Sequence, residues 1–394
     1  MKNTFTFRQT ITLMLLASAL TLTLTLNFAS VSVTADKQVQ SAAREYAALL
    51  ERINDLYIGD FDIEMISDAA LRAVVYALGD RWSFYMTPGE YSEYMMSSRN
   101  QFSGIGVSVA IDESTGGMEV VSVYRDSPAF ASGMLAGDII VMIDGQSIAG
   151  YDLGEMRELL ARPLGDNVEI EVLRTDGSVE VIIVAYTLIF ANPISSELID
   201  GDIGYIAIAN FEGEAGNSFI SAITELLENG ATAFIFDVRN NNGGMVHEMT
   251  MMLDYLLPEG EIFVSVDKSG KEQVTLSDKS MLEVPAVVVV DRYSFSAAEY
   301  FAAILREYDY AYIVGEQTTG KSRSQNTVLL PNGGALHIST GQYFTKNRIA
   351  LYDVGGLTPD YPLALTNDEL GMLISGNLKI EDDPQLQLAL SLLR

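Results

Sequence analysis

The sequence predicts a multidomain α/β protein: a helical N-terminal region, a β-rich second block and a layered α/β core, all behind a leader segment. Three observations carry this. Apolar residues recur at helical spacing between Ala43 and Leu78, short glycine-punctuated strands run from about Gln101 to Tyr186, and strands then alternate with helices. At 394 residues and 48% hydrophobic content, the chain can bury more than one core.

The leader comes first. Lys2 and Arg8 precede an apolar stretch, Ile11 to Leu26, and Val33-Thr34-Ala35 offers a small-residue cleavage site. Counted through Val33, the stretch approaches the length of a membrane span, so residues 1–35 read as a signal peptide or a retained membrane anchor. Both readings export the remainder, to a periplasm or to the outer face of the cytoplasmic membrane and cell surface.

Residues 36–100 form the helical region. Ala43 to Tyr57 and Ile63 to Leu78 are its first helices, and Thr87-Pro88-Gly89-Glu90 starts a third with a capping box. In residues 101–186 strands are expected at Ile105–Ile111, Met118–Tyr124, Asp138–Ile143, Val168–Arg174 and Val179–Ala185. Short helices fall at Pro128–Gly133 and Leu153–Ala161. From residue 187 to 394, strands at Gly204–Ala209, Ala233–Val238, Ala286–Val290 and Ala311–Val314 alternate with helices at Gly216–Leu227, Val246–Leu257 and Ala297–Tyr308. Asn332-Gly333 turns a hairpin. The terminal helix, Asp383–Leu393, reads as a core cap or a homodimer contact.

Composition removes several chemistries. The chain has no cysteine, which excludes thiol nucleophiles, disulfides and thiolate metal sites. Its two histidines, His247 and His337, give no cluster for a metal, and His247-Glu248 is not followed by a second histidine at the H-E-x-x-H spacing. A formal net charge of −29 makes nucleic acid a poor partner. No metal or cofactor is expected.

Sites in open α/β sheets gather beyond the carboxyl ends of the strands. Three such turns are polar: Arg239 to Gly244, Asp291 to Ser296, and Gly315 to Lys321. Ser296 opens a helix, a place that suits an N-cap and also a nucleophile beside unsatisfied N–H groups. The Asn-Asn-Gly-Gly turn can bring a second N–H close. Neither histidine is placed to act as its base, whereas desolvation of Lys321 would leave a neutral amine. Gly315 to Ser322 also fits the G-x-x-x-x-G-K-[ST] pattern of a phosphate loop. That loop must open a helix, and Asn326 to Leu330 reads as a strand.

Ser294-Phe295-Ser296-Ala297-Ala298-Glu299, followed by Thr319-Gly320-Lys321 and Gln325, resembles the S-A-S-A-S-E and F-G-K-G-x-x-Q signatures of the carboxy-terminal processing (tail-specific) peptidases. The segments Gly79 to Pro88, Phe236 to Gly244 and Gly355 to Asp360 resemble further motifs of that family, in the family's order. The resemblance implies a layered α/β peptidase core in which Ser296 is the nucleophile, Lys321 the general base and Gln325 its orienting partner. Gly244 and Ala297 would supply oxyanion N–H groups. It also implies that residues 101–186 are a PDZ domain, with Gly104-Ile105-Gly106-Val107 binding the carboxylate of a substrate protein's C-terminal tail. Phe295, Ala298, Asn242, Thr319 and Ser322 depart from the family pattern without removing a catalytic group. The rival expectation is a non-catalytic, PDZ-type peptide-binding scaffold of the cell envelope.

Overall fold

The computed structural model describes residues 37–394, so the expected signal or anchor lies outside the described residues. The chain divides into two units, residues 1–69 and 70–394. The first contains α1 (Lys37–Leu56), which has no buried side chain, and the start of α2 (Ile63–Tyr76). Asp62 Oδ1 accepts the Glu64 N–H at 2.8 Å and so caps α2.

In the second unit come β1 (Phe84–Met86) and α3 (Pro88–Ser97). The capping box at Thr87 and Glu90 is present, with Pro88 at the first helical turn. The β-rich block comprises β2 (Gln101–Gly104), β3 (Val107–Ile111), β4 (Met118–Val123), α4 (Pro128–Ala131), β5 (Ile139–Ile143), β6 (Gln146–Ser147), α5 (Leu153–Leu160), β7 (Asn167–Leu173), β8 (Val179–Ala185) and β9 (Thr187–Phe190). An antiparallel sheet runs in the order β3-β4-β5-β7-β8, with β6 beside β5, while β2 and β9 form a separate ladder. Val168, Ile170 and Val172 point inward at every second residue, toward Met118, Val120 and Ile140.

The strand expected from Ile105 to Ile111 starts only at Val107, two residues late. Gly106 has φ 90°, and a Cβ there would lie 2.2 Å from Ser127 Cβ. The chain therefore bends between β2 and β3, and β2 leaves to pair with β9.

The remaining core holds β10 (Ile194–Ile199), β11 (Ile203–Ile208), α6 (Ala215–Glu228), β12 (Ala233–Asp237), α7 (Val246–Leu256), β13 (Gly260–Asp267), β14 (Glu272–Ser277), β15 (Ala286–Val290), α8 (Ala297–Glu307), β16 (Ala311–Gly315), β17 (Arg323–Leu329), β18 (Ala335–Phe344), β19 (Tyr361–Pro362), α9 (Asn367–Ile374) and α10 (Pro384–Leu393). The main sheet has the order β10-β11-β12-β15-β16-β19 and is parallel from β11 onward. All five residues of β15 are buried because both faces are covered. Val288 and Val290 join Phe219, Phe236 and Phe301 under α6, α7 and α8, while Val287 and Val289 face Leu386, Ala389 and Leu390 of α10. Thus α10 caps the core.

A second sheet, β1-β18-β13-β14 with β17 against β18, was not evident as a sheet from the sequence. It stitches residues 84–86 to residues 335–337. The Asn332-Gly333 hairpin joins β17 to β18 through residues 330–334, wider than a two-residue turn, with Leu329 opposite Ala335.

Candidate active site

Because β12, β15 and β16 are parallel neighbours, their carboxyl ends leave the sheet on one edge. Two of the turns are pinned together. Ser294 Oγ donates to Val238 O at 2.7 Å, the Phe295 N–H donates to Asn241 O at 3.1 Å, and Asp291 Oδ2 accepts the Asn240 N–H. Asn241, fully buried, donates to Ile208 O and accepts the Gly243 N–H at 2.8 Å.

This scaffold holds Ser296 at φ 59°, ψ −124°, a strained conformation for a residue with a Cβ and one that concentrates at functional sites. A Cβ on Gly243 would stand 2.7 Å from Ser296 Cβ and 2.9 Å from the Ala297 nitrogen. One on Gly244, at φ 147°, would stand 2.4 Å from Phe211 O. Both glycines are therefore required by close approach. Among the described residues, neither the Gly244 nor the Ala297 N–H has a hydrogen-bond partner. They remain available to an oxyanion.

Lys321 comes to the same place from the third turn. Its Nζ lies 4.5 Å from the centre of the Trp82 ring and 6.0 Å from that of Phe295. Arg81 covers the same indole at 4.1 Å. Burial pulls the Lys321 ammonium down to about 8, against the opposing pull of Asp80 and Glu299 and with a smaller push from Arg81. Lys321 makes no hydrogen bond to Ser296. The Ser296 hydroxyl instead meets the Tyr343 hydroxyl at 3.3 Å, and that phenol also donates to Lys321 O at 2.7 Å.

Glu299 binds the two turns to each other. Its carboxylate, fully buried, accepts the N–H groups of Ser296, Gly320 and Lys321 at 3.1 Å each, and the Thr318 hydroxyl at 3.2 Å. Burial raises it to about 7, although every one of these donors favours the anion. The N–H groups that a phosphate loop would aim at phosphate are thus already taken by a carboxylate. The chain after Lys321 continues as β17 rather than a helix, so the nucleotide reading fails.

Gln325 sits on β17 at a bulge, and its Nε2 donates to Arg323 O at 2.9 Å and to Ser339 Oγ at 3.0 Å. The structure does not join it to Lys321. His337 stacks on Phe84 and contacts Thr327, while His247 is exposed beside Glu248. Neither approaches Ser296 by a hydrogen bond.

Beside Ser296, a cavity of about 10 Å³ is lined by Gly244, Val246, Met249, Phe263, Tyr300 and Tyr343. It is small and almost wholly apolar. In the β-rich block, Gly104, Ile105, Gly106 and Val107 line one wall of a groove of about 470 Å³ between β3 and α5. β3 is an edge strand with only β4 as neighbour.

Sequence reasoning assigned no role to Trp82, Glu299 or Tyr343. Trp82 is the single tryptophan and lies in the family-like segment Gly79 to Pro88, and Glu299 is an acid in the first turn of α8, so both carried a signal. Tyr343 carried none.

Residues 202–363 match the family described as Peptidase family S41, and residues 119–174 match the PDZ domain. The Carboxy-terminal-processing protease of Bartonella bacilliformis is 27% identical over 341 residues, covering 84% of this chain and 77% of that one. Carboxy-terminal processing protease CtpA of Bacillus subtilis is 28% identical over 317 residues, covering 80% and 66%. In fold, the chain is similar to a putative S41 protease of Bacteroides fragilis, with TM-score 0.56 and 17% identity over 85% of this chain and 92% of that one. With the catalytic-edge geometry above, these matches identify a serine peptidase with an S41 match in its core and a PDZ domain, similar to the carboxy-terminal processing proteases.

Proposed function

We propose that this peptidase cleaves exported proteins at or near their C-terminal tails. Residues 101–186 would act as the tail-binding domain and residues 187–394 as the peptidase core. The observation that carries the reading is the convergence, on one sheet edge, of a strained Ser296, two unpartnered N–H groups and a half-buried Lys321 whose burial favours the neutral amine.

In this mechanism a tail adds as a strand along β3, with its carboxylate at the Gly104–Val107 turn, and the chain upstream reaches Ser296. Neutral Lys321 takes the Ser296 proton as Oγ attacks the carbonyl. The oxyanion is held by the Gly244 and Ala297 N–H groups, and the lysine ammonium returns the proton to the leaving amine. Water, deprotonated by the same lysine, then releases the acyl group. Lys321 must first leave the Trp82 face to reach Ser296. Gln325 Oε1 would accept a hydrogen from the amine there, orienting its lone pair. The leader segment supports export.

The test is proteolysis of an unstructured protein with an apolar tail by the leaderless chain and its Ser296→Ala and Lys321→Ala variants. Cleavage by the parent and by neither variant supports the assignment. An inert parent that still binds the tail would point to a chain held shut or acting as a scaffold.

A further inference from the structure

The groove between β3 and α5 is lined by backbone, small hydroxyls and apolar or aromatic side chains, with one exception. Arg157 is its only charged residue. Among the described residues the Arg157 side chain has no ion pair or hydrogen bond. Glu155 and Glu158 of its own helix do not sit one turn away; the positions that do, Leu153, Gly154, Leu160 and Ala161, offer no counter-charge. Leu153 and Leu160, which share its face, both line the groove. A guanidinium on a net-acidic chain, unpaired and lining an apolar trough, is a recognition element lacking its partner.

Its position along the groove sets what the partner can be. Arg157 is the fifth of eight residues in α5, so it stands about one helical turn from either end. A tail anchored by its carboxylate at the Gly104–Val107 turn extends along β3 by about 3.3 Å per residue. The middle of α5 therefore faces a side chain one to three residues upstream of the terminus.

We propose that Arg157 makes the groove select tails carrying an aspartate or glutamate within about the last four residues, behind an apolar end. This rests on the tail-docking reading above and names its substrate class. A planar guanidinium matches a side-chain carboxylate with two parallel N–H···O bonds. Leu153 and Leu160 on either side accept apolar neighbours.

The test uses the full leaderless chain with Ser296→Ala, which blocks turnover, and fluorescent peptides of about ten residues ending in alanine with a free carboxylate. Alanine, aspartate or lysine is placed in turn at the second, third and fourth positions from the end, and affinity is read by anisotropy. At one of these positions the aspartate peptide should bind about five- to tenfold tighter than the alanine peptide, and lysine should bind weakest. Arg157→Gln should erase the difference, and Arg157→Glu should reverse the order. Arg157 is exposed, so these variants keep the fold. An aspartate preference untouched by Arg157→Gln, or no preference at all, overturns the proposal. If Arg157→Gln weakens every peptide equally and amidated peptides no longer sense it, Arg157 reads the terminal carboxylate and the side-chain selection is overturned. If no peptide binds, the tail-docking reading itself falls.

Discussion

Lys321 Nζ rests 4.5 Å from the centre of the Trp82 ring and is not hydrogen-bonded to the Ser296 hydroxyl it is proposed to deprotonate. With the ammonium pulled down to about 8 by burial, the reactive amine is a minor species at neutral pH. kcat/KM should therefore rise about tenfold per pH unit up to about 8 and then level. Trp82→Ala admits water around the amine and should move this acid limb upward. The attraction of the ring face for the ammonium, worth about 1 kcal/mol, acts the other way and is the smaller influence. Lys321→Arg stays protonated and should lose about three orders of magnitude or more at every pH. A limb that stays put or falls in Trp82→Ala would show that the indole does not keep the base dry.

Tyr343 should matter to rate more than to binding. Its single phenolic proton serves the shorter contact, Lys321 O at 2.7 Å, which fixes the carbonyl of the proposed base. The ring is packed edge-on against Tyr300. Tyr343→Phe keeps that packing and removes only the hydroxyl. The expected result is about a three- to tenfold lower kcat with unchanged KM, and about 1 kcal/mol less stability. An unchanged kcat would mean that the hydroxyl merely fills space.

The Gly243–Gly244 turn, proposed to hold the oxyanion, tolerates no side chain. Gly244→Ala would drive a Cβ into Phe211 O, whose own partner is the Met245 N–H at 2.6 Å. The turn must shift, and with it the Gly244 N–H. The variant should lose about 10²-fold or more in kcat. Tail binding in the β3–α5 groove should persist. Loss of both together would indicate unfolding rather than a misplaced donor, and circular dichroism separates the two.

These expectations come from a site that was legible only in part. The three polar turns could be found because strands such as Ala286–Val290 are continuous apolar runs, and the turns that follow them are short and marked by glycine, asparagine and serine. Their meeting on one edge follows from parallel order, which alternation of strand and helix implies. The second sheet was not legible. Phe84–Met86 pairs with residues 335–337 across most of the chain, and no local pattern announces so distant a partner. That pairing belongs to the sheet whose strand β18 carries Tyr343 to Ser296, so the tyrosine could not be foreseen. Glu299 was visible as a helix-start acid, yet its bonds to Gly320 and Lys321 depend on how two loops pack. The bend at Gly106, which delays the strand to Val107, was missed because Ile105–Ile111 has the composition of one strand; only Ser127, pressed against the glycine, reveals it.

Glu212 lies where the block that begins at Gln101 joins the core. Asn100 Nδ2 donates to Glu212 O at 2.9 Å and to Gly213 O at 3.1 Å, and the adjoining Phe211 is bonded to the oxyanion turn. The Glu212 Oε2 atom is buried without a partner, and burial, aided by the Glu248 carboxylate, raises the group to about 7. A carboxyl raised in the folded state contributes stability that is complete below the unfolded value, 4.5, and is lost as pH climbs through about 7. Glu212→Gln cannot ionise. It should match the parent near pH 4.5 and exceed it at pH 8 by about 2 kcal/mol, read from the urea midpoint of the core. A variant that differs from the parent equally at both pH values would show that the glutamate's charge is not what strains this junction.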